Sequence, residues 1–193
     1  MIVIVSGLPR SGTSLAMQML QAGGLPILSD GQRTADADNP RGYYEWERIK
    51  GLPQQPSIIA EAEGRAVKVI SSLLVALPTR REYRVIFMLR LLDEVLASQA
   101  VMIRNRGVEG PKLAPAAMLA ALQAHLAQVN AWLRSRADLA VLRMNFHDLL
   151  ADPRGQAERV ARFVDVPLDV DAMARQVDPS LHHHRSGAVV AGD

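Results

Sequence analysis

Apolar and polar positions alternate along the chain in blocks of two kinds. Ile2, Val3, Ile4 and Val5 are consecutive β-branched residues, the mark of a strand buried on both faces. Leu15, Met17, Met19 and Leu20 follow at helix-like spacing. The pattern predicts a strand at residues 2–6 and a helix at 12–22, closed by Gly23 and Gly24. Further strands are predicted at 66–70, where Lys68 interrupts the apolar run, at 84–89 and at 139–142. Helices are predicted at 91–102, 115–136, 153–164 (with Pro153 in a tolerated first-turn position) and 168–177. A long polar loop is predicted at 29–44 and a Gly/Pro loop at 105–113. Strands alternating with helices imply an α/β fold, a central parallel sheet covered on both faces, in one domain spanning 1–193. Such sheets bind ligands beyond the carboxyl ends of their strands. Two of those ends are polar: the loop after Val5, and Arg90 after Leu89.

Composition narrows the field. The chain has 193 residues, 49% of them hydrophobic, which is enough for a core. The net charge of +2 comes from scattered basic residues, and 4% aromatics offers little to stack on bases, so a nucleic-acid partner is not expected. There are no cysteines, which excludes disulfides and thiolate metal sites. No run of about 18 apolar residues and no leader pattern is present, so a soluble, cytoplasmic protein without a membrane span is expected. A homodimer is compatible with the sequence.

The chemistry begins in the first loop, Gly7-Leu8-Pro9-Arg10-Ser11-Gly12-Thr13-Ser14. Its glycines have the G-x-x-x-x-G spacing of a nucleotide-triphosphate loop, but Thr13 stands where such a loop carries Lys. The basic residue is instead Arg10, inside the loop. Backbone N–H groups at a helix start, hydroxyls from Ser11, Thr13 and Ser14, and the Arg10 fork together suit a phosphate or sulfate. An acidic partner for magnesium is also missing from the strand ends, where Arg90 and Met144 stand.

This loop resembles the 5′-phosphosulfate loop of sulfotransferases that use 3′-phosphoadenosine-5′-phosphosulfate (PAPS). The Pro-Arg-Ser-Gly-Thr version is similar to the bacterial and tyrosylprotein branches. Arg90 at a strand end, with Ser98 eight residues on, resembles the family's 3′-phosphate motif, although Leu91-Leu92 replaces the usual Asn-Pro. Asn39-Pro40-Arg41-Gly42-Tyr43-Tyr44-Glu45-Trp46 resembles the Asn-Pro-x-Gly-Tyr-x-Glu segment of bacterial members. Lys68-Val69 and Leu73 to Pro78 fit the segment before the 3′-phosphate strand. The stretch from Phe146-His147-Asp148-Leu149 through Asp152-Pro153 to Phe163 and Pro167-Leu168 resembles a later family segment, with His147 where a glutamate is usual.

The resemblance implies a three-layer α/β/α, P-loop NTPase-like sulfotransferase fold and transfer of a sulfuryl group from PAPS to a hydroxyl or amine. Pro9, Arg10, Ser11, Gly12, Thr13, Ser14, Arg90 and Ser98 would hold the donor, Arg10 would stabilise transition-state charge, and no metal would be needed. Arg185, near the C-terminus, is a candidate for closing the nucleotide site. Glu45, beside aromatic residues, is the preferred general base, with Asp36, Asp38 and His147 as alternatives. The acceptor, a small molecule, carbohydrate or peptide, is left open. Two other readings also stay open: a P-loop kinase or NTPase, and a non-catalytic nucleotide-binding protein on the same fold.

Overall fold

A computed structural model describes residues 1–36, 38–105, 107 and 113–178. Five strands form one parallel sheet: β1 (Ile2–Gly7), β2 (Ile27–Leu28), β3 (Ala66–Lys68), β4 (Tyr83–Leu89) and β5 (Leu139–Asn145), in the order β2-β3-β1-β4-β5. Among the described residues six α-helices accompany them: α1 (Thr13–Ala22), α2 (Leu92–Asn105), α3 (Pro115–Ser135), α4 (Phe146–Ala151), α5 (Pro153–Val164) and α6 (Val170–Ala174). The predicted α/β architecture with a parallel sheet is therefore present.

The β-branched run of β1 is central, fully buried, and splits its side chains between two cores. Ile2 and Ile4, with Val85 and Phe87 of β4, face a layer built from α3 and short 3-10 segments, including Trp46, Ile59 and Leu133. Val3 and Val5, with Ile86 and Met88, face α1, α5 and α6 through Met17, Leu20, Val160 and Met173. Each such buried side chain contributes about 1.5–3 kcal/mol. A strand flanked by parallel partners on both edges cannot slip register without moving both sets.

Helix α1 ends as the glycine pair predicts. Leu25 N–H donates to the Leu20 carbonyl at 3.0 Å and Gly24 N–H to Gln21 at 3.0 Å, with Gly24 at φ +95°. This is the Schellman arrangement, whose left-handed position glycine fills without strain.

The structure differs from the sequence expectation at several boundaries. Gly12 caps α1 rather than beginning it. The strand predicted at 66–70 stops at Lys68, and the helix predicted at 168–177 shortens to Val170–Ala174. Strand β5 runs on to Asn145, because on a sheet edge Arg143 and Asn145 can point to solvent. β2, α4 and the 3-10 segments Glu47–Gly51, Pro56–Ala62 and Ser71–Ala76 were not foreseen; all are too short to show a period. Most of the loop predicted at 105–113, and the tail with Arg185, lie outside the described residues. Among the described residues no helix is long and apolar enough to cross a membrane.

The topology fixes where a ligand site belongs. From β1 the chain turns toward β2, whereas from β4 it turns toward β5. The loops after β1 and β4 therefore diverge, leaving a crevice at the carboxyl ends of these neighbouring strands.

Candidate active site

Both glycines of the first loop are required by close approach. A Cβ on Gly7, at φ +149°, would lie 2.8 Å from the Met88 carbonyl oxygen. One on Gly12, at φ +102°, would lie 2.7 Å from Phe146 Cδ2. Between them Arg10 takes φ +75°, unusual for a residue with a side chain, and Ser11 N–H donates to the Leu8 carbonyl at 3.1 Å. The loop thus folds tightly over the end of β1 and enters α1, whose N-terminus is capped by no side chain. Uncapped N–H groups and the helix dipole favour an anion there.

Arginines from both constellations meet at this crevice. Arg10 Nε donates to Ser98 Oγ at 2.8 Å, and its Nη2 donates to the Asp38 carbonyl at 3.0 Å. Arg90 Nη1 donates to the Arg10 carbonyl at 3.3 Å, so the strand-end arginine braces the loop. Arg90 also forms a buried ion pair with Glu94 (Nε to Oε2, 2.8 Å) and lies over the Phe146 ring at 4.4 Å. His147 Nε2 lies 3.2 Å from the other Glu94 oxygen. Ser98, one turn along the same helical face from Glu94, is buried and bonded by Arg10 rather than by Arg90. Burial pushes the Arg10 guanidinium below the ordinary arginine value, with Tyr43 and Asp38 opposing and Arg90 adding to the shift.

A third cation comes from β3. Lys68 is 8% exposed, and its Nζ donates to the Tyr43 carbonyl at 3.0 Å and to Ser14 Oγ at 3.3 Å. It lies 3.6 Å from Glu45 Oε1. Burial pushes the Lys68 ammonium below its ordinary value, the Glu45 charge pulling it back up. Ser14 occupies the position whose hydroxyl holds magnesium in a nucleotide-triphosphate loop. Here that hydroxyl also receives Asn39 Nδ2 at 2.9 Å. Ser14 Oγ is thus already bonded by an ammonium and an amide.

The loop over 29–44 lies across the crevice. Arg33 Nη1 donates to Glu45 Oε1 at 2.9 Å, and its guanidinium lies 3.3 Å from the Tyr43 ring centroid. Both cations near Glu45 address Oε1. Among the alternative bases, Asp36 is exposed and accepts from Tyr43 Oη at 2.7 Å. Desolvation pushes its carboxyl up, but hydrogen bonds from Tyr43 and from the Asn39 and Asp38 N–H groups outweigh this and hold it below its ordinary value. Asp38 spends its carboxylate on Asn105 Nδ2 at 2.7 Å. His147 lies against Glu94, its Nε2 3.2 Å from Oε1. Arg41 and Arg48, neighbours of Glu45 in sequence, pair instead with Asp178 and Glu61.

Arg10, Arg33, Glu45, Lys68 and Arg90 line one cavity of about 390 Å³. Of the residues expected at the site, Pro9, Arg10, Gly12, Thr13, Ser14, Glu45, Arg90 and Ser98 line it, as does Asp38. Ser11 does not: it is buried, its hydroxyl has no hydrogen-bond partner among the described residues, and that oxygen sits over Gly7. Asp36 and His147 also lie outside the lining. Lys68 is the group that sequence reasoning passed over. Its signal was present, since a charged residue interrupting an apolar run at the carboxyl end of a parallel strand stands where such sheets bind ligands.

Comparison with known proteins agrees with this geometry. The family model described as "Sulfotransferase domain" matches residues 2–187. No curated protein matches the chain. Among solved structures, the sulfotransferase domain from the curacin biosynthetic pathway aligns over 97% of this chain and 80% of its own, at 15% identity and a TM-score of 0.51. A sugar kinase from Janibacter sp. HTCC2649, solved without ligand, aligns over 94% of this chain and 98% of its own, at 15% identity and a TM-score of 0.43. The loop from Gly7, the strand-end arginine and a family match running almost the length of the chain converge: this protein belongs to the sulfotransferase domain family.

Proposed function

We propose that this chain is a PAPS-dependent sulfotransferase acting on a hydroxyl group. The observation that carries the reading is that one cavity is lined by basic side chains in two places, Lys68 bonded to Ser14 at one, and Arg10 bonded to Ser98 with Arg90 bonded to the Arg10 carbonyl at the other. That arrangement fits a donor with phosphates at its two ends better than a linear triphosphate. The uncapped α1 N-terminus, with Arg10, Thr13 and Ser14, would hold the 5′-phosphosulfate, and Arg90 with Ser98 the 3′-phosphate.

The donor supplies a sulfuryl group: an oxygen–sulfur bond forms to the acceptor as the bond to the bridging oxygen breaks, its electron pair leaving on the nucleotide phosphate. The protein's residues serve that displacement. Arg10 and Lys68 place positive charge beside the loop, where leaving-group charge develops, and both are already ordered before reaction. Glu45 Oε2 takes the acceptor proton, and Arg33 holds Oε1 so that the carboxylate keeps one orientation. Arg90 anchors the loop from below through the Arg10 carbonyl.

Calorimetry tests the donor assignment. The desulfated nucleotide, 3′-phosphoadenosine-5′-phosphate, is expected to bind without magnesium, and ATP with magnesium far more weakly. The reverse order would return the chain to the kinase or NTPase reading. For the base, Glu45→Gln keeps the shape and the Arg33 contact but removes proton acceptance. Turnover is expected to fall about 10²- to 10⁴-fold with nucleotide affinity unchanged. Turnover within a few-fold of the parent would assign Glu45 a structural role only.

A further inference from the structure

We infer that Gln18 is a specificity-determining residue for the acceptor: its carboxamide hydrogen-bonds a second polar group, carried about one helical turn from the hydroxyl that receives the sulfuryl group. This rests on the sulfotransferase reading above for where the reacting hydroxyl sits. Its own evidence is an amide that the fold buries in the cavity wall without a partner. Gln18 lies in α1, is 6% exposed and lines the cavity. Its side chain makes no hydrogen bond among the described residues.

Packing alone gives no reason for an amide at this position. Its neighbours Met17 and Met19 are buried methionines. Methionine has nearly the same helix propensity as glutamine and an unbranched chain of similar length. At position 18 it would fill the space without stripping water from a carboxamide, which is costly when nothing replaces the lost bonds. A few placed polar groups in a cavity wall are what orient a ligand.

The charged side chains of the same wall are already paired. Arg33 bonds Glu45 at 2.9 Å, and Lys50 bonds Glu47 at 2.5 Å. Arg41 donates to the Gln176 carbonyl at 2.7 Å and to Asp178 at 3.1 Å. A ligand meets these charges with partners in place. It meets Gln18 with one carbonyl oxygen and two N–H donors to offer.

Helix geometry sets the spacing. Ser14 and Gln18 stand at i and i+4 in α1, on one face and about 6 Å apart along the axis. Ser14 Oγ receives Lys68 Nζ at 3.3 Å, and Lys68 lies 3.6 Å from Glu45. The reacting hydroxyl belongs at that end, beside Glu45, and Gln18 meets the molecule one turn further along α1. A hydroxyl or a carboxamide fits there, since each both donates and accepts.

The test compares two probes of the same shape, 4-(hydroxymethyl)phenol and 4-ethylphenol, which differ by a hydroxyl in place of a methyl. Calorimetry measures each on the full chain, parent and Gln18→Met, with and without saturating 3′-phosphoadenosine-5′-phosphate. The parent is expected to bind 4-(hydroxymethyl)phenol about tenfold more tightly than 4-ethylphenol, and Gln18→Met to lose or invert that preference. The melting temperature of Gln18→Met is expected to equal or exceed the parent's, because an unbonded buried amide is gone. Its nucleotide affinity should be unchanged, which also shows that it folds. A lowered melting temperature with the preference intact makes Gln18 structural and overturns the proposal. So do equal affinity of the parent for both probes, binding of neither, and a preference for 4-ethylphenol. Weakened nucleotide binding in Gln18→Met overturns it as well, because the amide then reads the donor. If the probes behave as expected and the nucleotide does not bind the parent, the Gln18 assignment stands and the donor assignment falls. If the nucleotide binds and the probe preference is absent, the reverse holds.

Discussion

Replacing Lys68 with methionine is expected to slow sulfuryl transfer about 10²- to 10³-fold, the usual cost of removing one fixed charge from a transition-state site. Methionine follows the path of the lysine stem, so the buried volume between β3 and α1 stays filled. What disappears is the ammonium at Ser14 Oγ and at the Tyr43 carbonyl. The stability change should be small. Two hydrogen bonds, to the Tyr43 carbonyl and to Ser14 Oγ, are lost, about 0.5–1.5 kcal/mol each, while the cost of holding a charge at 8% exposure is relieved. A purely structural lysine would show the opposite pattern, a lowered melting temperature with the rate preserved. Rates at saturating donor, read beside thermal unfolding, separate the two. A rate within about threefold of the parent at unchanged stability would remove Lys68 from the machinery.

The second large effect concerns stability. Arg90→Ala is expected to destabilise the fold by about 3–5 kcal/mol, because it leaves Glu94 buried without its guanidinium. Glu94 is 2% exposed, its Oε2 receives Arg90 at 2.8 Å, and its other oxygen lies near His147. The contact of Arg90 with the Phe146 ring is lost as well, and Phe146 is the side chain that packs against Gly12. Urea unfolding measures the loss. Arg90→Met combined with Glu94→Gln should recover most of it, because the uncompensated charge is gone and the volume is kept. In that double variant nucleotide affinity can be measured on a folded protein. Recovery of stability without recovery of affinity is the pattern expected if Arg90 also holds a phosphate. An Arg90→Ala protein as stable as the parent would show that the pair contributes little.

Both predictions bear on what the sequence could disclose. The β-branched run at β1 and the apolar block at β4 were legible because a strand buried on both faces leaves no polar positions to confuse the pattern. The glycines at 7 and 12 were legible as a loop, but the reason for them was not. Met88 on β4 and Phe146 at the start of α4 lie far along the chain, and only the assembled sheet brings them against those Cα atoms. Arg90 and Ser98 were legible as a pair at helical spacing, whereas Ser98 meeting Arg10 was not, since the contact spans 88 residues. Lys68 was visible only as a flaw in a strand. Glu45 could be placed near aromatics, but its partners could not be named, because Arg33 and Lys68 reach it across a loop and a strand rather than along a helix. Local periodicity fixes elements, and tertiary contact decides which charges meet.

The position of β1 in the sheet also bears on how the chain is made. The strand at residues 2–7 pairs with 66–68 on one edge and 83–89 on the other. During translation, at about 5–20 residues per second, it leaves the ribosome on the order of ten seconds before its second partner exists. For most of that interval, until residues 66–68 are made, four β-branched residues wait with both edges unsatisfied, the kind of segment that nascent chains lose to aggregation. Yield in a heterologous host should therefore depend on chaperone supply and growth temperature more than on the equilibrium stability of the finished fold.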